Sequence, residues 1–200
     1  MSQAKIYLVD HKSHSLTPMT ASHYPTEDEL QRYLADYADL IPGDQINPED
    51  PRRWLLVGRE VGVPDTDGDS ARWSLDHLFL DQDGIPTFVE CKRATDTRTR
   101  REVVAQMLDY AANGLAYWSI DRIRLAAAET AAKRGQGLTA ALLELVNGSS
   151  YEDIEAFWKR VETHMREQQV RLVFVVDEAP RELRRLVEFL NAKLVDFSFR

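Results

Sequence analysis

The run from Arg72 to Arg93, RWSLDHLFLDQDGIPTFVECKR, constrains the fold more than any other part of the chain. Two stretches of strand-forming residues flank the triplet Gln82-Asp83-Gly84, which together form a hairpin signal. Side chains alternate along a strand, so Asp76 shares a face with Ser74, Leu78 and Leu80, while His77 and Phe79 take the other. On the second strand Glu90 and Lys92 project with Phe88, and Val89 and Cys91 point away. The turn decides what meets across the pair. A two-residue Asp83-Gly84 loop places Asp76 opposite Cys91, whereas a three-residue Gln82-Asp83-Gly84 loop, with Gly84 left-handed in a bulge, places it opposite Glu90. Both loops suit the sequence. Only the second gathers two carboxylates and a lysine on one face.

The flanking segments predict the rest of the architecture. KIYLV (5–9) reads as a short strand, followed by polar coil containing Pro18 and Pro25. PTEDELQRYLADYADLIPG reads as one helix, with Thr26 as N-cap and Glu27, Asp28 and Glu29 in an acidic first turn. Leu30, Leu34 and Ala38 form its apolar stripe, and Pro42-Gly43 stops it. RRWLLVGREVGV is the next strand. After the hairpin, Thr99 and Glu102 have capping-box spacing and open a helix through about Trp118, with Val103, Met107 and Ala111 facing the sheet. Residues 123–168 are expected as a helical insertion, broken by Gly135, Gly137 and the NGSS turn. VRLVFVVD, nearly continuously apolar, is expected as a central strand covered on both faces. PRELRRLVEFLNAKL follows as a helix with Pro180 in its first turn, and VDFSF as a last strand. The order predicts one α/β (α+β) domain over residues 1–200: a mixed central β-sheet flanked by helices, an αβββαβ core carrying a helical insertion.

Composition narrows the function classes. With 200 residues, 44% hydrophobic and 29% charged, the chain can bury a full core. It has no apolar run of about 18 residues, so no membrane span is expected. MSQAKIYLVDHKSHS lacks the features of a signal peptide, and a cytoplasmic protein is the expectation. One cysteine excludes an internal disulfide framework and, with five scattered histidines, a structural zinc site. A net charge of −8 argues against coating nucleic acid by bulk charge. Any nucleic-acid function needs its cations gathered in one place.

Two adjacent carboxylates repel unless protons or a cation lie between them. A hard ion such as Mg²⁺, with Mn²⁺ as a substitute, takes carboxylate, carbonyl and water oxygens and works with substrate phosphates. Asp76 and Glu90 are the candidate ligands, with the Cys91 backbone carbonyl as a third oxygen. Lys92 beside them would orient or help deprotonate a water, or stabilise charge on a phosphate. The ordinary alternative is a cross-strand ion pair. Gln106 and Tyr110, four apart, share one helical face with Glu102; the ordinary alternative makes Tyr110 core and Gln106 boundary. KRATDTRTRRE brings Lys92, Arg93, Arg98, Arg100 and Arg101 to a helix start, which suits a phosphate backbone. Glu27 lies on the core side of the first helix, as a further ligand or as a helix-dipole acid.

Asp76, Glu90-Cys91-Lys92 and Gln106-Met107-Leu108-Asp109-Tyr110 together resemble the PD-(D/E)xK nuclease superfamily, in its RecB-like and NucS-type variants with a Q-x-x-x-Y helix. The resemblance covers residues 26–118 and, more loosely, 170–191; the insertion lies outside it. It implies a restriction-endonuclease-like fold with Asp76 and Glu90 as metal ligands and Lys92 as the catalytic lysine. Gln106 and Tyr110 would support the site, and Glu27 matches the first-helix acid. Leu75 stands where the motif's name has proline. The expectation is a Mg²⁺-dependent phosphodiesterase acting on DNA, with Arg93, Arg98, Arg100 and Arg101 on the nucleic acid. The alternatives are a catalytically silent binding module, with the insertion as a partner or homodimer surface, and, less favoured, a hydrolase of small phosphate esters.

Overall fold

In a computed structural model the described residues are 6–22, 24–64, 71–93, 100–176 and 179–194. The central hairpin is β4 (Ala71–Asp81) and β5 (Pro86–Lys92), antiparallel with Leu80 opposite Pro86. Gly84 in its turn has φ +83, a left-handed conformation that costs glycine little. The buried Asp81 carboxylate caps the turn, accepting from the backbone N–H groups of Asp83 and Ile85 at 3.0 and 2.9 Å.

β3 (Trp54–Pro64) flanks β4 antiparallel, and β6 (Arg171–Val176) flanks β5 in parallel, giving the order β3-β4-β5-β6. The alternation seen in the sequence sorts the side chains into two cores. On one face Leu30 and Leu34 of α1 (Glu27–Asp36) pack with Phe79, Val89 and Cys91. On the other, Leu78, Leu80 and Phe88 meet Met107, Tyr110 and Ala111 of α3 (Arg100–Tyr117). The insertion forms α4 (Ile120–Lys133), α5 (Leu138–Val146) and α6 (Tyr151–Arg166), each started by a side-chain cap or a glycine. Many of its apolar residues, including Ala127, Leu142, Phe157 and Val161, join that second core, while Leu125 and Tyr151 are exposed. α7 (Arg181–Leu194) follows β6. Among the described residues no helix is long and apolar enough to cross a membrane.

The molecule is thus a mixed α/β fold with a helix-flanked mixed sheet, as its sequence predicts, with four local differences. The first helix ends at Asp36, giving way to a 3₁₀ turn (Ala38–Leu40) and one-turn α2 (Gly43–Ile46). Asp36 and Asp39 lie where the negative end of the helix dipole disfavours anions. The polar coil after the first strand contains β2 (Ser15–Met19), which pairs with β1 (Ile6–Asp10) as a separate ribbon. Pro18 argued against a strand, but both strands of a ribbon are edges, where a missing N–H is tolerated. Among the described residues β6 packs on both faces yet has one strand neighbour, β5, which sets it at the sheet edge rather than in the centre. A continuous apolar run reports covered faces, not the number of strand neighbours. The insertion's helices begin at Ile120, three residues before the expected boundary. The Thr99 cap and the VDFSF strand lie outside the described residues.

Candidate active site

The turn sets the register on which the site depends. Asp81 and Ile85 bracket a three-residue Gln82-Asp83-Gly84 loop, and His77 pairs with Val89. Continued by one residue, that register sets Asp76 across from Glu90, as the three-residue alternative requires. The β4–β5 ladder ends at His77, while β5 runs on beside β6 as far as Lys92 opposite Val176. Where the strands part, the Asp76 carboxylate takes the place of a ladder partner. The Cys91 backbone N–H donates to its Oδ2 at 2.7 Å.

Two further elements supply the remaining groups. From α1, the Glu27 carboxylate accepts from Lys92 Nζ at 3.1 Å, and the same ammonium lies 3.0 Å from Glu90 Oε1. Thr26, whose Oγ1 accepts from Glu29 N–H, starts the helix so that Glu27 occupies its first position. From α3, Gln106 Nε2 donates to Glu90 Oε1 at 3.0 Å and to the Tyr110 hydroxyl. Tyr110 is also core, tilted against Trp73, so the ordinary alternative describes its ring and the functional one its oxygen. Glu90 Oε1 therefore has two donors, whereas its Oε2 is buried with none.

Charge is out of balance here. Burial, reinforced by the Glu90 charge, raises the Asp76 carboxyl to about 7; the Cys91 N–H offsets this only in part. Burial also raises Glu90, against the pull of Lys92. Burial pulls Lys92 down, but the charges of Glu90, Asp76 and Glu27 outweigh it and hold the ammonium above its ordinary value. Lys92 is thus a cation at neutral pH, suited to stabilising negative charge rather than to removing a proton. Burial and the nearby acids raise the Tyr110 phenol as well.

Among the described residues no three His, Cys, Asp or Glu side chains form a ready metal cage. Magnesium needs less, because one or two carboxylates suffice when waters and phosphate supply the rest. The buried, partner-less Glu90 Oε2 beside a carboxyl that holds its proton near neutrality is a place where a cation fits. Asp76 and Glu90 would hold it, with the Cys91 carbonyl as an added oxygen.

The arginine loop is described only in part. Arg93 donates to the Pro25 carbonyl at 2.8 Å, tying β5 to the segment that precedes α1. Arg98 lies outside the described residues, as do the side chains of Arg100 and Arg101, whose backbone opens α3. Sequence reasoning assigned no role to His77, which is fully buried behind the site. Its Nε2 lies 2.8 Å from the Gln31 carbonyl, so Nε2 carries the proton, and its Nδ1 has no partner. Burial lowers this imidazole to about 4, keeping it neutral. Strand alternation identified its face; nothing in the spacing identified Gln31 as its partner. Compared with protein-family models, curated proteins and solved structures, the chain matches none.

Proposed function

We propose that the chain is a Mg²⁺-dependent phosphodiesterase that cleaves DNA, of the PD-(D/E)xK kind, working in the cytoplasm. The observation that carries this is the meeting of Asp76, Glu90 and Lys92 where β4 and β5 part, with one buried Glu90 oxygen lacking a partner. A bound Mg²⁺ supplies Lewis acidity toward a phosphoryl oxygen and acidifies a coordinated water. Asp76 and Glu90 supply the anionic edge that binds it. Gln106 engages Glu90 through Oε1 and leaves Oε2 available, and Tyr110 fixes Gln106. Lys92 offers its ammonium to the charge that builds on the phosphate, and Glu27 holds that ammonium in place. Arg93, Arg98, Arg100 and Arg101 contact the flanking phosphates.

The test is a cleavage panel on linear, single-stranded and flap DNA with Mg²⁺ or Mn²⁺, run beside Lys92→Ala and Glu90→Gln. Wild type cleaves, and each variant loses about 10²–10³-fold. Lys92→Ala also lowers the melting temperature, because it leaves Glu90 without its ion-pair partner. Glu90→Gln keeps the shape and isolates the loss of charge. Equal activity in all three proteins overturns the assignment. A second reading, a nuclease-fold module that binds without cleaving, is favoured by the direct Lys92 bridge between Glu90 and Glu27. It requires no cleavage on any substrate and no Mn²⁺ binding through Asp76 and Glu90.

A further inference from the structure

Among the described residues the β1–β2 ribbon packs into neither core of the molecule. None of its residues belongs to either hydrophobic core cluster, and every residue of both strands is exposed. Yet its strands are apolar on both faces. Ile6, Leu8 and Met19 lie on one and Tyr7, Val9 and Leu16 on the other, each 46–71% exposed. A two-stranded ribbon of this size is marginal in water and needs further strands or a packing surface.

Charge and edge geometry indicate what completes it. The one charged residue of the two strands is Asp10 at the tip, and its carboxylate already accepts from the N–H groups of Lys12 and Ser13 and from the Ser13 hydroxyl. The strand bodies offer a phosphate polymer no cation and an ionic protein surface no counter-charge. An uncharged apolar patch is, however, complementary to itself, which is the requirement for a two-fold interface. Two copies each carrying −8 repel over most of their surfaces, so a patch without charge is where they can approach. The two ribbon edges also differ. Pro18 has no N–H to give Tyr7, so Tyr7↔Pro18 is a non-hydrogen-bonded pair and Pro18 nitrogen faces the outer edge of β2. That edge lacks a donor. In the same ladder Tyr7 and Val9 turn their N–H and C=O groups to the outer edge of β1, which is intact.

We propose that the ribbon is a self-association arm. Two copies pair β1 against β1 antiparallel about a two-fold axis at Leu8, giving a four-stranded sheet β2-β1-β1-β2. Tyr7 of each copy exchanges hydrogen bonds with Val9 of the other, and Leu8 faces Leu8 in the close, non-hydrogen-bonded pair. Edge pairing buries the two β1 backbones and part of the side chains beside them and leaves most of both faces in solvent, so the interface lies at the low end of specific ones and association falls in the micromolar range.

The full chain is tested by sedimentation equilibrium and by cysteine cross-linking. Leu8→Cys places two thiols within disulfide reach across the axis, and mild oxidation yields a covalent dimer. Thr17→Cys, on β2, places them roughly 14 Å apart across three strand spacings and stays monomeric under oxidation. The native Cys91 is buried and does not compete. Leu8→Lys shifts wild-type dimer to monomer while leaving the melting transition of the core in place. A wild type that sediments as a monomer at tens of micromolar overturns the proposal. So does a dimer that survives Leu8→Lys, or cross-linking of Thr17→Cys as fast as Leu8→Cys.

Discussion

Asp76 and His77 are neighbours on β4 that face opposite sides of the sheet, and burial moves their proton affinities in opposite senses. Folded Asp76 holds its proton to about pH 7 against an ordinary value of 3.8. Between those values the folded state binds more protons than the unfolded, so stability falls as pH rises. Glu90, also raised, acts in the same direction. His77 is held at about 4 against 6.5, so over that interval the folded state binds fewer protons and stability rises with pH. In chelator-treated protein, Asp76→Asn therefore raises stability at pH 8 by a few kcal/mol at most, a gain that would come with lost activity. Added Mg²⁺ stabilises wild type at that pH but not Asp76→Asn. His77→Phe steepens the fall in stability with rising pH below about 6.5. Thermal melts across this pH range check all three outcomes; parallel profiles for wild type and both variants would contradict the assignment of these protons.

At the scale of elements, the insertion serves the hairpin turn. Arg160 Nε, on α6, donates to the Asp83 carbonyl at 3.2 Å, and His164 Nδ1 lies 3.0 Å from the Gly84 carbonyl. At the same turn Arg52 pairs with Asp83, and Arg171 reaches buried Asp81 at 2.9 Å. A Cβ on Gly84 would lie 3.0 Å from the Val161 nitrogen, in a backbone conformation that already disfavours it. Gly84→Ala is expected to cost about 1–3 kcal/mol, seen as a lower urea midpoint with an unchanged slope. Because this turn fixes Asp76 opposite Glu90, a slipped register would also break up the proposed metal site. Features written within a few residues were legible in the sequence: the Thr26 cap, the Val103-Met107-Ala111 stripe, and the sharing of a pleat by Glu90 and Lys92. The choice between two turns was not, because Gln82-Asp83-Gly84 satisfies both and contacts from α6 and β6 favour one. Lys92 joining Glu27 spans 65 residues, and no local pattern encodes such a meeting. Pro18 concealed β2, since its meaning depends on whether a strand has one neighbour or two.

Across the whole molecule, a net charge of −8 makes affinity for the proposed DNA substrate depend on a few local cations, each of which adds to the salt dependence. Arg98→Ala, Arg100→Ala and Arg101→Ala should each flatten the plot of log affinity against log salt by about 0.9 per phosphate contact removed. Fluorescence anisotropy measures this, and an unchanged slope in all three would place the DNA elsewhere. Cys91 has a consequence of a different kind. Its side chain is wholly buried on the α1 face, its thiol is pushed up by burial, and its N–H is bound to Asp76. An alkylating reagent can reach that sulfur only when α1 lifts from β5. The native chain therefore carries its own clock: at reagent concentrations where alkylation outpaces reclosing, the rate at which mass spectrometry sees one alkyl group added is the rate at which the sheet opens beside the proposed site. A cation drawn to Asp76 and Glu90 should slow it.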